Sequence, residues 1–387
     1  MNLKIFTLVL FFIMISLCVI PTVSSQEVSA QGEEMTYIVQ GEENLEGNYK
    51  IIDSFEIDGE RYYKVELNGF QSLGVDKNSS MEVNSRVQLI EPAYSEQNVT
   101  SYVGSSDFRT LDEDRRVLWN IRKINGKDIK SKVSGDLGKM DIAVIDGGVN
   151  EEHPYINSEV YEAPPNTPPN TNHGTHVTGT ISAEYNSDLE MRGVTPGVDT
   201  YDVIIGGLAD KNNTTTLFDL SEAMMKAAKG PDGRMGTEDD AEVISMSFRA
   251  PHSSTVDDVM DTLTPEKTLV ASAGNTNGGP VVYPASSPHT ISVAATDRNN
   301  NIASFSATGS EVDIAAPGNR ILSTGLGDNY TILSGTSMAA PHVAASVAAL
   351  QADTSEKLDS NEIKNRIKRT AIELRRDAGG SGLLDIE

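Results

Sequence analysis

Gly335-Thr336-Ser337-Met338-Ala339-Ala340-Pro341-His342-Val343 places a serine between small residues at the head of an apolar helix predicted over Val343 to Leu350. A serine hydroxyl is a weak nucleophile alone; it needs exposure, room for a substrate carbonyl and a base within reach. Gly335 and the two alanines keep the approach open. A helix N-terminus adds a positive field and backbone N–H groups where an oxyanion can form. Pro341 suits the opening turn of such a helix, where its missing N–H costs little.

Two upstream segments supply partners. Ile142-Ala143-Val144-Ile145-Asp146-Gly147-Gly148-Val149 reads as a buried strand ending on a carboxylate followed by glycines, and His173-Gly174-Thr175-His176-Val177-Thr178-Gly179-Thr180 puts a histidine at the mouth of a small-residue helix. Asp, His, Ser is one of three chain orders known for a serine triad. A fourth segment, Ala271-Ser272-Ala273-Gly274-Asn275, closes a β-like run with an amide able to donate to an oxyanion. Singly, these residues read as a turn aspartate, a polar histidine and a helix cap. Jointly, in this order, they point to acyl transfer. His176 and His342 also lie in the motifs and are expected to be structural.

Together the four segments resemble the subtilisin-like serine proteases, over about Leu118 to the C-terminus. Gly193-Val194-Thr195-Pro196-Gly197, Tyr283-Pro284-Ala285-Ser286 and Gly382-Leu383-Leu384-Asp385 resemble further landmarks of that family. The resemblance implies that Asp146 is the orienting acid, His173 the general base, Ser337 the nucleophile and Asn275 the oxyanion-hole amide. It implies endopeptidase activity on polypeptide substrates through an acyl-enzyme, without an organic cofactor. The runner-up is a binding module that keeps this fold without turnover, which fold alone does not exclude.

The expected catalytic domain, residues 106–387, alternates short apolar strands at Asp141–Ile145, Thr200–Ile205, Glu242–Ser247, Thr268–Ala271 and Thr290–Val293 with helices at Leu217–Lys229 and Thr255–Leu263. That alternation predicts an α/β three-layer domain: a mostly parallel sheet covered on both faces, with the site at the strand C-terminal ends. Ahead of it, Met35–Val39, Tyr49–Ile57, Arg61–Leu67 and Arg86–Ile90 read as strands separated by turns such as Asp58-Gly59. This unit, within residues 26–105, resembles the small α+β propeptide that inhibits and chaperones the family, although Gly41 to Asn48 leaves too little chain for the family's usual helix there. Tyr94 to Asp114 reads as linker and processing region.

Residues 1–25 combine Lys4, an apolar run from Ile5 to Ile20 and the polar stretch after Pro21, which reads as a signal peptide and a secreted product. The run is short for a membrane anchor. Cys18, the only cysteine, lies inside it, so neither disulfides nor thiol chemistry are expected beyond it; bulky Leu17 argues against a lipid anchor. With 31 Lys+Arg against 56 Asp+Glu, the net charge of −25 argues against nucleic acid or an anionic membrane as partner. It also suggests a halophilic source, although lysine supplies 16 of the 31 cations.

Calcium is the remaining cofactor expectation, in Pro231-Asp232-Gly233-Arg234-Met235-Gly236-Thr237-Glu238-Asp239-Asp240, where oxygen donors surround glycines. The plainer reading is a solvated acidic hairpin. The family's usual calcium loop is not evident in Glu184-Tyr185-Asn186-Ser187-Asp188. Three departures bear on specificity. Gly147 follows Asp146 where the family usually has a hydroxyl residue. Only 26 residues, including Pro164-Pro165-Asn166-Thr167-Pro168-Pro169, separate Asp146 from His173. In Ser247-Phe248-Arg249-Ala250, the expected substrate-binding strand, Arg249 stands where glycine is usual, which would narrow the cleft, favour acidic substrate residues or simply face solvent.

Overall fold

Strand β7, Asp141–Asp146, is apolar along its length apart from its two ends, and it lies in the interior of a seven-stranded sheet. In a computed structural model, residues 36–41, 49–67, 81–90, 92–96, 118–162, 171–187, 191–204, 214–354, 357–374 and 380–386 are described. The predicted signal peptide, Cys18 and the proline-rich loop fall outside them. Residues 36–387 pack as one unit.

The strand-rich N-terminal portion forms an antiparallel sheet from β1 (Thr36–Gln40), β2 (Tyr49–Ile57), β3 (Glu60–Leu67) and β4 (Met81–Val83), in the order β2-β3-β1-β4. Two short strands follow, β5 (Arg86–Leu89) and β6 (Tyr94–Glu96). Tyr94–Glu96 was expected in a linker; it is instead paired in a sheet.

The large sheet takes β7, β8 (Ser158–Glu162), β9 (Asp199–Ile204), β11 (Val243–Met246), β13 (Thr268–Ser272), β14 (Thr290–Thr296) and β15 (Ile314–Pro317). The order is β15-β14-β13-β11-β7-β9-β8, and every pairing is parallel. Strands buried on both faces need near-continuous apolar sequence, and β11, β13, β14 and β15 have no exposed residue. Chain direction along the sheet reverses beside β7: one branch runs to β9 and β8, the other to β11 and beyond. Sites in such sheets lie at the C-terminal end of the switch strand, where Asp146 stands.

The long helices are α3 (Asn172–Ser182), α4 (Leu217–Lys229), α5 (Ser254–Leu263), α6 (Thr336–Ala352) and α7 (Ser360–Thr370); α1 (Trp119–Lys123) and α2 (Ile129–Lys132) are short. The apolar helix begins seven residues before the predicted Val343, at Thr336. Pro341 therefore sits in its second turn. Its missing N–H leaves the Ser337 carbonyl without the usual helical donor, and Ser247 Oγ lies 3.3 Å from that carbonyl and donates to it. The region also holds strands β10 (Thr214–Thr216), β12 (Phe248–Arg249), β16 (Ile321–Thr324) and β17 (Tyr330–Ser334).

The N-terminal sheet lies against α4 and α5 and supplies acceptors to their exposed N-termini. Glu82 Oε2 accepts from Ser254 N at 2.9 Å and Ser254 Oγ at 2.8 Å, and Asn84 Oδ1 accepts from Phe218 N at 2.9 Å. Lys64 Nζ meets Asp219 at 3.0 Å, and Tyr62 donates to Asp258 at 3.0 Å. Phe55 packs edge-on to Phe218 with centroids 5.0 Å apart.

At the other end of the sheet the charge excess has a local cost. Burial, then Glu242 and Asp199, push the Asp141 carboxyl up to about 7. The folded state therefore keeps a proton that the unfolded chain has already released above an ordinary carboxylate pKa, and stability falls as pH rises from about 4 to 7. Asp141→Asn in a Ser337→Ala background should raise the melting temperature by a few degrees at pH 8 and leave it unchanged at pH 4, read by calorimetry.

Candidate active site

The small residues of α3 let its N-terminus touch the end of β7. A side chain on Gly174 would come within 2.2 Å of the Gly148 carbonyl and 3.1 Å of Asp146 Oδ1, so only glycine permits this approach. Thr171 caps the helix by accepting from Gly174 N at 3.0 Å. The preceding turn brings His173 Nδ1 to 2.8 Å and 3.1 Å from the two oxygens of Asp146. Asp146 is fully buried, and Gly147 N donates to its Oδ1 at 2.7 Å. Gly147 thus supplies a backbone donor where a hydroxyl side chain was expected.

Ser337 is the second residue of α6. Asn275 follows β13, and its Oδ1 accepts from Thr336 N at 3.0 Å and Thr336 Oγ1 at 3.2 Å. With Oδ1 committed to the helix N-terminus, Nδ2 is turned the other way. A side chain on Gly335 would approach Asn275 Nδ2 to 3.3 Å and Pro92 Cα to 3.7 Å, so the amide and the N-terminal segment meet over Gly335.

That segment fills the cleft. β5 forms the middle strand of an antiparallel three-stranded sheet between β10 and β12. Gln88 lies opposite Arg249, Leu89 opposite Phe248, and Val87 opposite Thr215. Ile90 N donates to the Ser247 carbonyl at 3.2 Å, and the Ser337 hydroxyl donates to the Ile90 carbonyl at 3.1 Å. Beyond the serine, Ala93 N donates to the Ser334 carbonyl at 2.6 Å, and β6 adds to β17. The chain therefore passes Ser337 with paired backbone on both sides.

Of the residues expected at the site, Asp146 and His173 pair directly. Ser337 and Asn275 share the head of α6. Ser247, Phe248 and Arg249 line the occupied cleft, whereas Ala250 N is tied to the Tyr283 carbonyl at 2.8 Å. His176 and His342 are fully buried and kept neutral, burial lowering their pKa to about 3 and about 4. His342 Nδ1 bonds the Met338 carbonyl and Nε2 lies 2.8 Å from Asn120 Nδ2, a structural pairing. The β10 wall and the cleft role of Val87 to Ile90 were not anticipated. The Thr214-Thr215-Thr216 run was the available signal for the former, since β-branched residues favour strands.

The acidic loop does not suit a calcium ion. Asp240 Oδ2 is held at 2.8 Å by the buried Lys267 ammonium and also accepts from Gly236 N at 2.8 Å. Asp239 Oδ2 accepts from Asp232 N, and Thr237 Oγ1 donates at 2.7 Å to Asp239 and 3.0 Å to Asp240. Burial alone would raise the Asp240 pKa, but Lys267 and these donors bring it below the ordinary value. A side-chain cation occupies the place a metal would take.

Comparison with known proteins agrees with this geometry. Residues 138–386 match the model of the Subtilase family, Peptidase_S8. The chain is 33% identical to M-protease of Shouchella clausii (strain KSM-K16) over 296 residues, 74% of this chain and 73% of that one. It is 33% identical to Subtilisin Savinase of Lederbergia lenta over 280 residues, 70% of this chain and 97% of that one. The Thermophilic serine proteinase of Bacillus sp. (strain AK1) is 36% identical over 239 residues, 60% of this chain and 56% of that one. The chain belongs to the subtilase family, which makes it a serine endopeptidase by class.

Removing one partner of a buried pair strands the other charge. Lys267→Met should therefore destabilise the protein by about 3–5 kcal/mol in denaturant unfolding. Excess chelator should leave the wild-type midpoint unchanged.

Proposed function

We propose that this chain is a secreted serine endopeptidase that works through Asp146, His173 and Ser337 and processes itself between Ile90 and Glu91. The observation that carries this reading is the approach of the Ser337 hydroxyl to the Ile90 carbonyl while Ile90 N–H is anchored on Ser247. The carbonyl carbon is one bond from that oxygen.

In the reaction, His173 Nε2 takes the Ser337 proton as Oγ adds to the carbonyl carbon. Asp146 holds Nδ1–H, fixing the tautomer and stabilising the imidazolium. Negative charge on the Ile90 oxygen is met by Asn275 Nδ2 and by the Ser337 backbone N–H, free to donate so early in α6. His173 then gives its proton to the departing Glu91 nitrogen. Water, activated by the same imidazole, releases the acyl group. Nothing in this cycle calls for an organic cofactor.

Cleavage would leave the N-terminal sheet docked on α4 and α5 with Ile90 as its new C-terminus in the cleft, an inhibitor of the site that made it. Secretion rests on the N-terminal segment read above, which lies outside the described residues. The helices of the described residues include none long and apolar enough to cross a membrane. The acidic balance makes salt a variable of this function, since counterions screen carboxylate repulsion.

Mass spectrometry of the full chain tests the reading, wild type beside Ser337→Ala, in dilute buffer and in high salt. The expected result is fragments ending at Ile90 and starting at Glu91 in the wild type alone. Asn275→Ala should slow processing by about 10²–10³, the loss known for removing this amide in a member of the family. An intact wild-type chain in every condition would favour the binding module.

A further inference from the structure

Four residues run from the cleft floor to the processed bond, and only Gln88 among them is not buried. Val87 is fully buried, while Leu89 and Ile90 are 6% and 5% exposed. Gln88 is half-buried between them. Successive side chains of a strand point to opposite faces, and directly opposed residues of an antiparallel pair share one face. Gln88 and Arg249 are opposed and leave the cleft on the same side. There Arg249 Nη2 donates to Gln88 Oε1 at 2.8 Å.

Arg249 has no carboxylate partner among the described residues, in a chain with 56 acidic side chains. Its one recorded side-chain contact is with the segment in the cleft. A guanidinium is a planar fork of donors that matches a carboxylate with two parallel bonds. A glutamine has one acceptor oxygen, and its amide NH₂ has no acceptor to offer a second guanidinium N–H. The third position before the bond is thus filled by a neutral residue at a place built around a cation.

We propose that Arg249 is a specificity residue that selects glutamate at the third position before the cleaved bond, with apolar residues at the second and fourth. This inference rests on the reading of Ile90–Glu91 as the processed bond. Gln88 gives the chain's own segment the register of a substrate with one of the two bonds a glutamate would make. An acidic substrate would therefore displace the cleaved segment more readily than a basic one, although the surface as a whole is strongly negative.

Two measurements test it. Self-processed wild-type chain is given peptides spanning Arg86 to Glu91 with Gln, Glu or Lys at the position of Gln88. The expected order of kcat/KM is Glu, Gln, Lys, with Glu about 2- to 5-fold above Gln, the range of an exposed charge pair. Arg249→Ala should bring the three within about 1.5-fold, and Arg249→Glu should invert the order. Equal rates in the wild type, or the same order in Arg249→Ala, would overturn the proposal.

The second arm needs no turnover. In the uncleaved Ser337→Ala chain, Gln88→Glu should raise the melting temperature by about 1–2 °C and Gln88→Lys should lower it, both effects vanishing with Arg249→Ala. Coupling here without peptide cleavage would uphold the contact of Arg249 with the residue at position 88 and sink the reading of Ile90–Glu91 as the processed bond. Absent coupling would overturn the selectivity even if the peptides are cut.

Discussion

The burial of α6 on almost every side is the constraint from which the rest of the molecule follows. Of its 17 residues only Leu350 is not fully buried, so the helix cannot expose a polar stripe and cannot carry bulky side chains where α3 and the large sheet close on it. Alanine at 339, 340, 344, 345, 348 and 349 meets that demand. Such a helix has one place for chemistry, its N-terminus, where backbone donors are not consumed by the helix itself. Thr336 bonds Asn275 there and Ser337 follows. Because Pro341 withdraws one helical donor, Ser247, next to β12, can bond the Ser337 carbonyl, which couples the cleft wall to the turn that carries Ser337.

Asp146, His173, Asn275 and Ser337 stood out as candidates because each terminates or opens an element, and such positions carry local signals: glycines after a strand, small residues at a helix mouth. The parallel sheet was legible from its apolar runs. What sequence could not supply was pairing between distant segments. Nothing local to Thr214–Thr216 or Arg86–Leu89 announces that the one pairs with the other in the cleft. The acidic loop was ambiguous for a related reason: Lys267, which holds Asp240, lies 27 residues away and nothing local to the loop announces it. The early start of α6 was hidden by Pro341, because a proline normally marks an opening turn.

The docking of the N-terminal sheet is held in part by polar contacts that water can replace. Two of its acceptors, Glu82 and Asn84, satisfy helix N–H groups that would otherwise face solvent. Water can replace both once the sheet leaves, so α5 and α4 lose stability without losing their fold. The apolar part of the contact joins Phe55 and Tyr62, stacked at 5.3 Å with Phe55 edge-on to Phe218, to Ile38 and Ile57, which are buried in the same cluster as α4 and α5.

The segment between sheet and cleft completes that logic. An intact chain would place paired backbone on both sides of Ser337, and β6 on β17 would anchor the leaving half. Once the Ile90–Glu91 bond broke, the part from Glu91 onward would be free to leave the cleft while Val87, Leu89 and Ile90 stayed buried. The site would then be held by its own product through apolar contacts and backbone pairing, which a substrate of better side-chain fit can match. Arg249, with no carboxylate partner among the described residues, lies on the solvent side of that same strand pair, so fit at one exposed position would be the lever by which substrates compete with such a product.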